Sequence, residues 1–495
     1  MQPFLQLDRV GLRFWHQIQG RWLPLVAVLL SVLLAFVVTE VSAGVALGIV
    51  VGAILAVVGM ASYEVLVHAM IVLLPLQSSL PVSFQSLGVI NPFNTLAGVL
   101  FALWLVNSLL ARERLLNWSW MNLVVAAFVL VCIAALFNSG RSLGADFMDE
   151  QVNPLKRWLS PMLLFFPISN GRFKRPAIKR MVFTVLIMCA VVALWTLKDL
   201  YNLGWDEINE EARIGGPFGL GGENDIAGFF VYYPIIALTI ALFENRFHRR
   251  VALLGIFLIG MAPLLLLLSR GAYLGIIAVL LFAGAMRFRW LLVLTVFAVL
   301  FYKSWTPGVV QERWESTQVA SNDMVGGRVP APYEQERRLE ASSALRVRIW
   351  RGAWRMIESH PFTGVGYNVF PAAIPEYANM ERNMDAHNMF LRVTAEMGVG
   401  GLVFFFLLLA VPFYSMLRVY NTTGDRFMKG WMLGGMAAIC GILVVNFFGS
   451  RFVREELVGL YWILVALTYS YVYLRRDHLR RRKMCLVFQP DCPRA

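Results

Sequence analysis

Apolar residues fill this chain in long runs broken by short polar intervals. The pattern shows neither the two-residue alternation of half-buried strands nor the narrow stripe of a soluble amphipathic helix. Crossing the ~30 Å hydrocarbon core of a bilayer takes about 20 apolar residues in a helix. Fourteen runs are candidates, at about residues 22–41, 43–60, 62–77, 93–111, 119–137, 155–169, 181–201, 224–243, 250–268, 271–286, 289–303, 398–418, 428–448 and 456–474. The short runs at 62–77 and 155–169 leave the count between 12 and 14. The pattern therefore predicts an all-α polytopic membrane protein. Its organisation is helices 1 to 11 over 1–303, one long loop domain over 304–397, helices 12 to 14 over 398–474, and a basic tail over 475–495. Within the long loop, "SALRVRIWRGAWRMIES" (343–359) has helical periodicity and a Ser342 or Ser343 cap, so an amphipathic helix is expected there.

Composition agrees with this reading. The chain is 58% hydrophobic and 15% charged over 495 residues, with a mean hydropathy of +0.63, far from a soluble domain. Arg9, Arg13 and Arg21 precede the first run as in a signal peptide, but no A-x-A-like site follows and further spans come at once, so the first span is expected to be retained. Cys132, Cys189, Cys440, Cys485 and Cys492 lie in apolar runs or in the tail without a C-x-x-C, which indicates neither a disulfide framework nor a zinc site.

Charge sets the orientation. The net charge of +13 would suit nucleic acid, but the cations lie in membrane loops, which removes that partner. The tail "RRDHLRRRK" and the loops at 112–118, 171–180 and 244–250 are basic, as is the N-terminus, and all fall on one side by alternation. The positive-inside rule makes that side cytoplasmic. The loops at 138–154, 202–223, around Arg270, at 304–397 and at 449–456 then face outward.

Arginines in those outward loops break the rule and ask for an anionic partner. On the 343–359 helix Arg348, Arg351 and Arg355 share one face, as a stripe that lipid headgroups or solvent would satisfy. Arg346 lies on the other face with Ile349, Trp350, Ala353 and Ile357. A guanidinium stays charged and is costly to desolvate alone, so a bound anion or a structural carboxylate is expected beside it. Arg270, at the break in "LLLLLSRGAYLGII", either serves a site or snorkels to headgroups. Arg213 opens the Gly-rich "RIGGPFGLGGENDIAGFF". His387, in "DAHNMFLRVTAEMGVGGL", is expected on a helix starting near Ala386, sharing a face with Leu391, Thr394 and Gly398 and turned away from Glu396, so that a carboxylate orienting it comes from elsewhere.

Five stretches in this order resemble the O-antigen ligase and O-antigen polymerase superfamily of bacterial envelope glycosyltransferases. They are 213–230, 266–281, 345–370, 386–402 and the long outer loop that holds the third and opens the fourth. The family pattern in the third stretch selects Arg346, Trp350, His360, Pro361, Gly364, Gly366 and Phe370, and in the fourth His387, Asn388, Glu396 and Gly398. Glu223 departs from it, standing where the family more often has proline before Asn-Asp. The resemblance covers roughly residues 205–405. It implies a GT-C-like fold in the bacterial inner membrane, and metal-independent transfer of a glycan from an undecaprenyl diphosphate carrier to an acceptor hydroxyl at the periplasmic face. Polymerisation of repeat units is the first reading, and ligation to lipid A core or protein the alternative. Membrane lipids and a chain-length regulator or other envelope assembly proteins are the further partners it implies.

The residues fit that chemistry. Arg213, Arg270 and Arg346 would bind the diphosphate, because guanidinium pairs phosphate oxygens in a fixed fork, and Asn388 would assist in binding. His387 would take the proton of the attacking hydroxyl, since it titrates near neutrality. His360, before a proline in a turn, is expected to be structural. No D-x-D or H-E-x-x-H is present, so neither a metal nor another cofactor is expected. A transporter of lipid-linked sugars would instead place its site near the bilayer midplane between repeats, and a scaffold would leave Arg346 and His387 unexplained.

Overall fold

Inside a bilayer the backbone finds no water, so each N–H and C=O must be satisfied within the protein, which helices do segment by segment. The computed structural model describes residues 52–60, 62–79, 92–110, 114–204, 214–219, 221–311, 341–380 and 383–488, and these contain helices and no strand. In chain order the helices used below are α1 (Tyr63–Leu76), α2 (Pro92–Leu110), α3 (Trp120–Leu143), α4 (Ala145–Leu163), α5 (Phe165–Ser169), α6 (Arg175–Leu203), α7 (Glu223–Tyr232), α8 (Pro234–Phe243), α9 (Phe247–Leu266) and α10 (Arg270–Met286). They continue with α11 (Arg289–Leu300), α12 (Ala341–Ser359), α13 (Phe370–Ala378), α14 (Met389–Thr422), α15 (Arg426–Phe447) and α16 (Glu455–Phe488).

Among the described residues eight segments are long and apolar enough to cross a membrane: α2, α3, α6, α7 with α8, α9, α14, α15, and α16 as far as Leu479. The segments Tyr63–Ser79, Arg270–Met286 and Arg289–Leu300 are apolar but shorter. The expected run at 22–41 and the first half of that at 43–60 lie outside the described residues. The expected run at 155–169 is corrected: α4 begins at Ala145 and is amphipathic, burying Gln151, Leu155, Trp158 and Leu159, and α5 adds only five residues.

Two compact units divide the chain, one of Met1–Leu66 with Leu80–Leu103, the other of Val67–Ser79 with Trp104–Ala495. In the first, the Tyr63 hydroxyl donates to the Leu100 carbonyl at 3.3 Å. In the second, α7, α8 and α15 form the interior, with Phe229, Phe230, Tyr232, Tyr233 and Trp431 almost wholly buried. Pro234 breaks the α7 to α8 span, since it has no N–H to give the preceding turn. Leu130, Leu258, Val293 and Leu300 stay exposed on the outside of the bundle, as side chains facing lipid would.

The ends of this second unit differ in charge. At one end Arg476 donates to Asn117 Oδ1 at 2.9 Å, Arg475 to the Thr422 carbonyl at 3.0 Å, and Lys179 with Arg175 pairs with Asp425. This is the basic side of the sequence. At the other end meet the C-terminal ends of α3, α6 and α15, the N-terminal ends of α7, α10, α14 and α16, and the pair α12 and α13. The candidate site is built there.

Candidate active site

Helix α14 has a break inside it at Gly398 (φ 69°, ψ −177°), between a first leg that begins at Met389 and a second that runs to Thr422. Breaking a helix frees backbone groups that must find partners. The segment after α12 supplies them: the Val365 N–H donates to Ala395 O at 2.8 Å, the Gly366 N–H to Glu396 O at 3.0 Å, and the Val399 N–H to Pro361 O at 2.8 Å. Contact this close needs glycine on both sides. A Cβ on Gly364 would strike the Glu396 carbonyl, and one on Gly398 would strike that of Phe362. The same segment is fastened to α3 by Asn138 Nδ2 donating to Gly364 O at 2.8 Å and Ser142 Oγ to Val365 O at 2.6 Å.

Helix α12 packs on this frame through Ile349, Ala353, Met356 and Ile357, in one core with Phe370, Ile374, Ala386 and Ala395. Trp350 donates Nε1 to the Ala386 carbonyl at 3.0 Å and meets Phe447 edge-on at 5.4 Å. The tryptophan thus ties α12 to the residue before His387 and to the end of α15. The arginines separate as expected, with Arg346 half-buried and Arg351 and Arg355 exposed. Arg348 is exposed with them and has a further role: its Nε donates to Ala378 O at 2.9 Å and its other nitrogen to Asn379 O, which caps the end of α13. His360 is exposed beside Ser359, in the turn after α12.

His387 does not lie on a helix. It adopts φ 47°, and α14 starts two residues later because Asn388 Oδ1 accepts from the N–H groups of Phe390 at 3.0 Å and Leu391 at 3.1 Å. The face shared with Leu391, Thr394 and Gly398 therefore does not exist. Asn388 is buried with its amide oxygen committed to these two bonds, which makes it an N-cap that fixes the start of α14. A carboxylate other than Glu396 stands beside the ring, as expected of one that comes from elsewhere. Asp385 Oδ2 accepts the His387 N–H at 2.9 Å and lies 3.9 Å from its Nδ1.

Burial pushes the His387 imidazole below its ordinary pKa; Asp385 works against this, while the charges of Arg346 and Arg451 add to it. Two arginines thus act on the ring through their charge, one expected and one not. Arg451 is buried in the loop between α15 and α16, where the N–H groups of Arg451 and Phe452 donate to Asn446 Oδ1 at 3.1 and 2.9 Å. Its neighbour Arg454 donates to Asp225 Oδ2 at 2.8 Å, drawing the start of α7 to the same place. "GSRFVREE" signalled Arg451 only as a cation in an outward loop, and nothing in its spacing points to His387.

Arg270 opens α10. It is linked to this cluster indirectly, through Gly271 against Phe448, Phe448 against Phe447 at 5.2 Å, and Phe447 against Trp350. Ser269 Oγ donates to Asn224 Oδ1 at 3.1 Å, joining that break to the Gly-rich loop. Glu223, the departure from the family pattern, accepts the Gly221 N–H at 3.1 Å and so closes the turn before α7. Arg213 lies outside the described residues. Among the described residues no group of three or more His, Cys, Asp or Glu side chains is placed to hold a metal ion.

Residues 254–406 match the O-antigen ligase family. No curated protein matches the chain. The matched segment contains Arg270, Arg346, His387 and the glycine break of α14, and stops short of Arg213 and Arg451. Those residues are the ones that the motifs singled out, and residues 254–406 of this multi-pass membrane protein are similar to the O-antigen ligase family.

Proposed function

We propose that the protein transfers a glycan from a polyprenyl diphosphate carrier to an acceptor hydroxyl at the outer face of the bacterial inner membrane, by an inverting and metal-independent step. The observation that carries this reading is the setting of His387, with Asp385 on one side and the charges of Arg346 and Arg451 acting on the ring. A base held among cations suits a donor whose leaving group is an anion. The acceptor oxygen attacks the anomeric carbon, its proton passes to the imidazole, and the carbon–oxygen bond to the diphosphate breaks with its electron pair leaving on phosphate. Arg346, Arg451, Arg270 and Arg213 neutralise that charge, and general-base catalysis typically contributes about 10²- to 10⁴-fold.

An apolar cavity also suits the lipid part of such a donor. A cavity of ≈ 360 Å³ lies between α9, α10 and α11, lined by Phe257, Leu264, Tyr273, Ile277, Val299 and Trp305. Tyr273 sits one turn beyond Arg270, so a polyprenyl chain in this groove would bring its diphosphate toward the cationic end.

Polymerisation of repeat units is the primary reading. Ligation to lipid A core or protein is the second, favoured by the description of the matched family as O-antigen ligase. The test is purified protein supplied with a polyprenyl diphosphate oligosaccharide and each acceptor in turn. Lengthened carrier-bound glycan is expected, product on lipid A core or protein alone would establish ligation, and no transfer to any acceptor would overturn the reading. Activity is expected to survive EDTA, because the arginines bring the charge a divalent ion would otherwise supply. Loss restored by magnesium or manganese would contradict this.

A further inference from the structure

His387 is held in a backbone conformation that side chains with a Cβ seldom adopt. Such positions persist when the surroundings over-determine them, and they concentrate at functional sites. Three contacts fix this one: Trp350 on the Ala386 carbonyl, the Asn388 cap, and Asp385 on the His387 N–H. A side chain that accepts from the N–H two residues on is a common turn device, and asparagine serves it as well as aspartate. The turn alone therefore does not call for a carboxylate.

The carboxylate is itself held. Arg392 donates NH1 to Asp385 Oδ1 at 3.0 Å, Nε to Glu396 Oε1 at 3.2 Å and NH2 to Asn368 Oδ1 at 2.7 Å. Asn368 in turn donates to Gln151 Oε1 of α4 at 2.6 Å. The Arg392 side chain is 13% exposed and that of Glu396 2%, against 32% for Asp385 and 41% for His387. A planar guanidinium committed on three sides is a rigid brace. It fixes Asp385 while leaving its second oxygen toward the imidazole. The charges that act on the ring are those of Asp385, Arg346 and Arg451, and of these only Asp385 favours the protonated ring.

We propose that Asp385, braced by Arg392, is the positioning residue of the reaction: it turns His387 Nδ1 toward its own carboxylate, leaves Nε2 for the acceptor hydroxyl, and stabilises the imidazolium once that proton has moved. The proposal rests on the reading of His387 as the base. In the step, the hydroxyl proton goes to Nε2, the Nδ1 proton stays on the ring, and Asp385 remains ionised.

The test uses the full-length protein with the substitutions Asp385→Asn and Asp385→Glu. One arm follows the pH dependence of His387 carbethoxylation by diethyl pyrocarbonate, read on its peptide by mass spectrometry, and does not depend on catalysis. In Asp385→Asn the midpoint should fall by about half a unit to one unit, as expected for losing one charge at this distance and exposure, while Asp385→Glu keeps it near the wild-type value. The other arm measures transfer. Asp385→Asn should lower kcat about tenfold or more, move the acidic limb of kcat/KM to lower pH, and leave donor Kd unchanged. An unmoved carbethoxylation midpoint, or loss of donor binding in both variants, overturns the proposal by making Asp385 a structural support only. A moved midpoint with unchanged kcat is read beside His387→Ala: an inactive His387→Ala then overturns the positioning role and spares the base, whereas an active one removes the base reading and the proposal with it.

Discussion

His387 is depressed below an ordinary histidine, and the sign of that shift fixes its pH behaviour. A base must be neutral to accept a proton, so a lowered pKa keeps it competent to lower pH. The acidic limb of kcat/KM, which reports the free enzyme, is expected at a midpoint below the ordinary value of 6.5. A limb at or above that value would mean that another group is titrating. The His387→Ala protein should lose most turnover and whatever activity is left should lack this limb. The arginines of α12 should not be equivalent. Arg346→Ala is expected to cost about 10- to 100-fold in kcat/KM, the size of a charge-assisted hydrogen bond, and Arg355→Ala about twofold or less. Arg348→Ala should act differently again, lowering thermal stability by freeing the Ala378 and Asn379 carbonyls while the folded fraction keeps its activity. Equal kinetic losses at all three positions would show that the whole stripe handles the anion.

Helix α14 is the element of the site that is broken internally, at Gly398. Its glycine break turns the first leg so that Asn388 and His387 stand at the junction of α12, α13 and the 360–369 segment, and the backbone groups freed by the break are satisfied by that segment. Gly398→Ala should cost about 1–3 kcal/mol for the left-handed backbone alone, and more because the new Cβ meets the Phe362 carbonyl. Thermal unfolding in detergent should show this as a lower midpoint, with transfer lost in parallel. A variant of wild-type stability would mean that the break can close without disturbing the segment packed on it. The apolar run at 398–418 begins at this glycine, but helical periodicity continues across it, so the pattern marks the start of the run without showing that the helix breaks there.

Across the whole molecule, the arginines of the site gather at the end opposite the basic loops of α6, α15 and α16. Among the described residues, Arg270, Arg346 and Arg451 thus lie on the side away from the basic loops, although they are cations outside the positive-inside pattern. A cysteine introduced at residue 325 of the long loop should react with a membrane-impermeant reagent in intact spheroplasts, and one introduced in the 244–250 loop only after the cytoplasm is opened. The reverse pattern would place the cationic site against the cytoplasm and end the proposal of transfer at the outer face.

The amino-acid sequence by itself determined the helical class, most of the apolar spans, the alternation of basic loops and the separation of Arg346 from its neighbours. Each of these depends on residues close together in the chain, where periodicity and hydropathy act directly. It also marked His387, Gly364, Gly366 and Gly398 through the family pattern. Tertiary structure decided that Asn368 joins Arg392 in the network that holds Asp385, that the charge of Arg451 acts on His387 from more than sixty residues away, and that Arg348 caps a helix. Ion pairs and cap contacts between distant segments depend on how helices pack, and packing leaves no period in the sequence. The left-handed turn at His387 is of the same kind, because it is held by Trp350 and Asn388 from two different helices against the intrinsic preference of the residue.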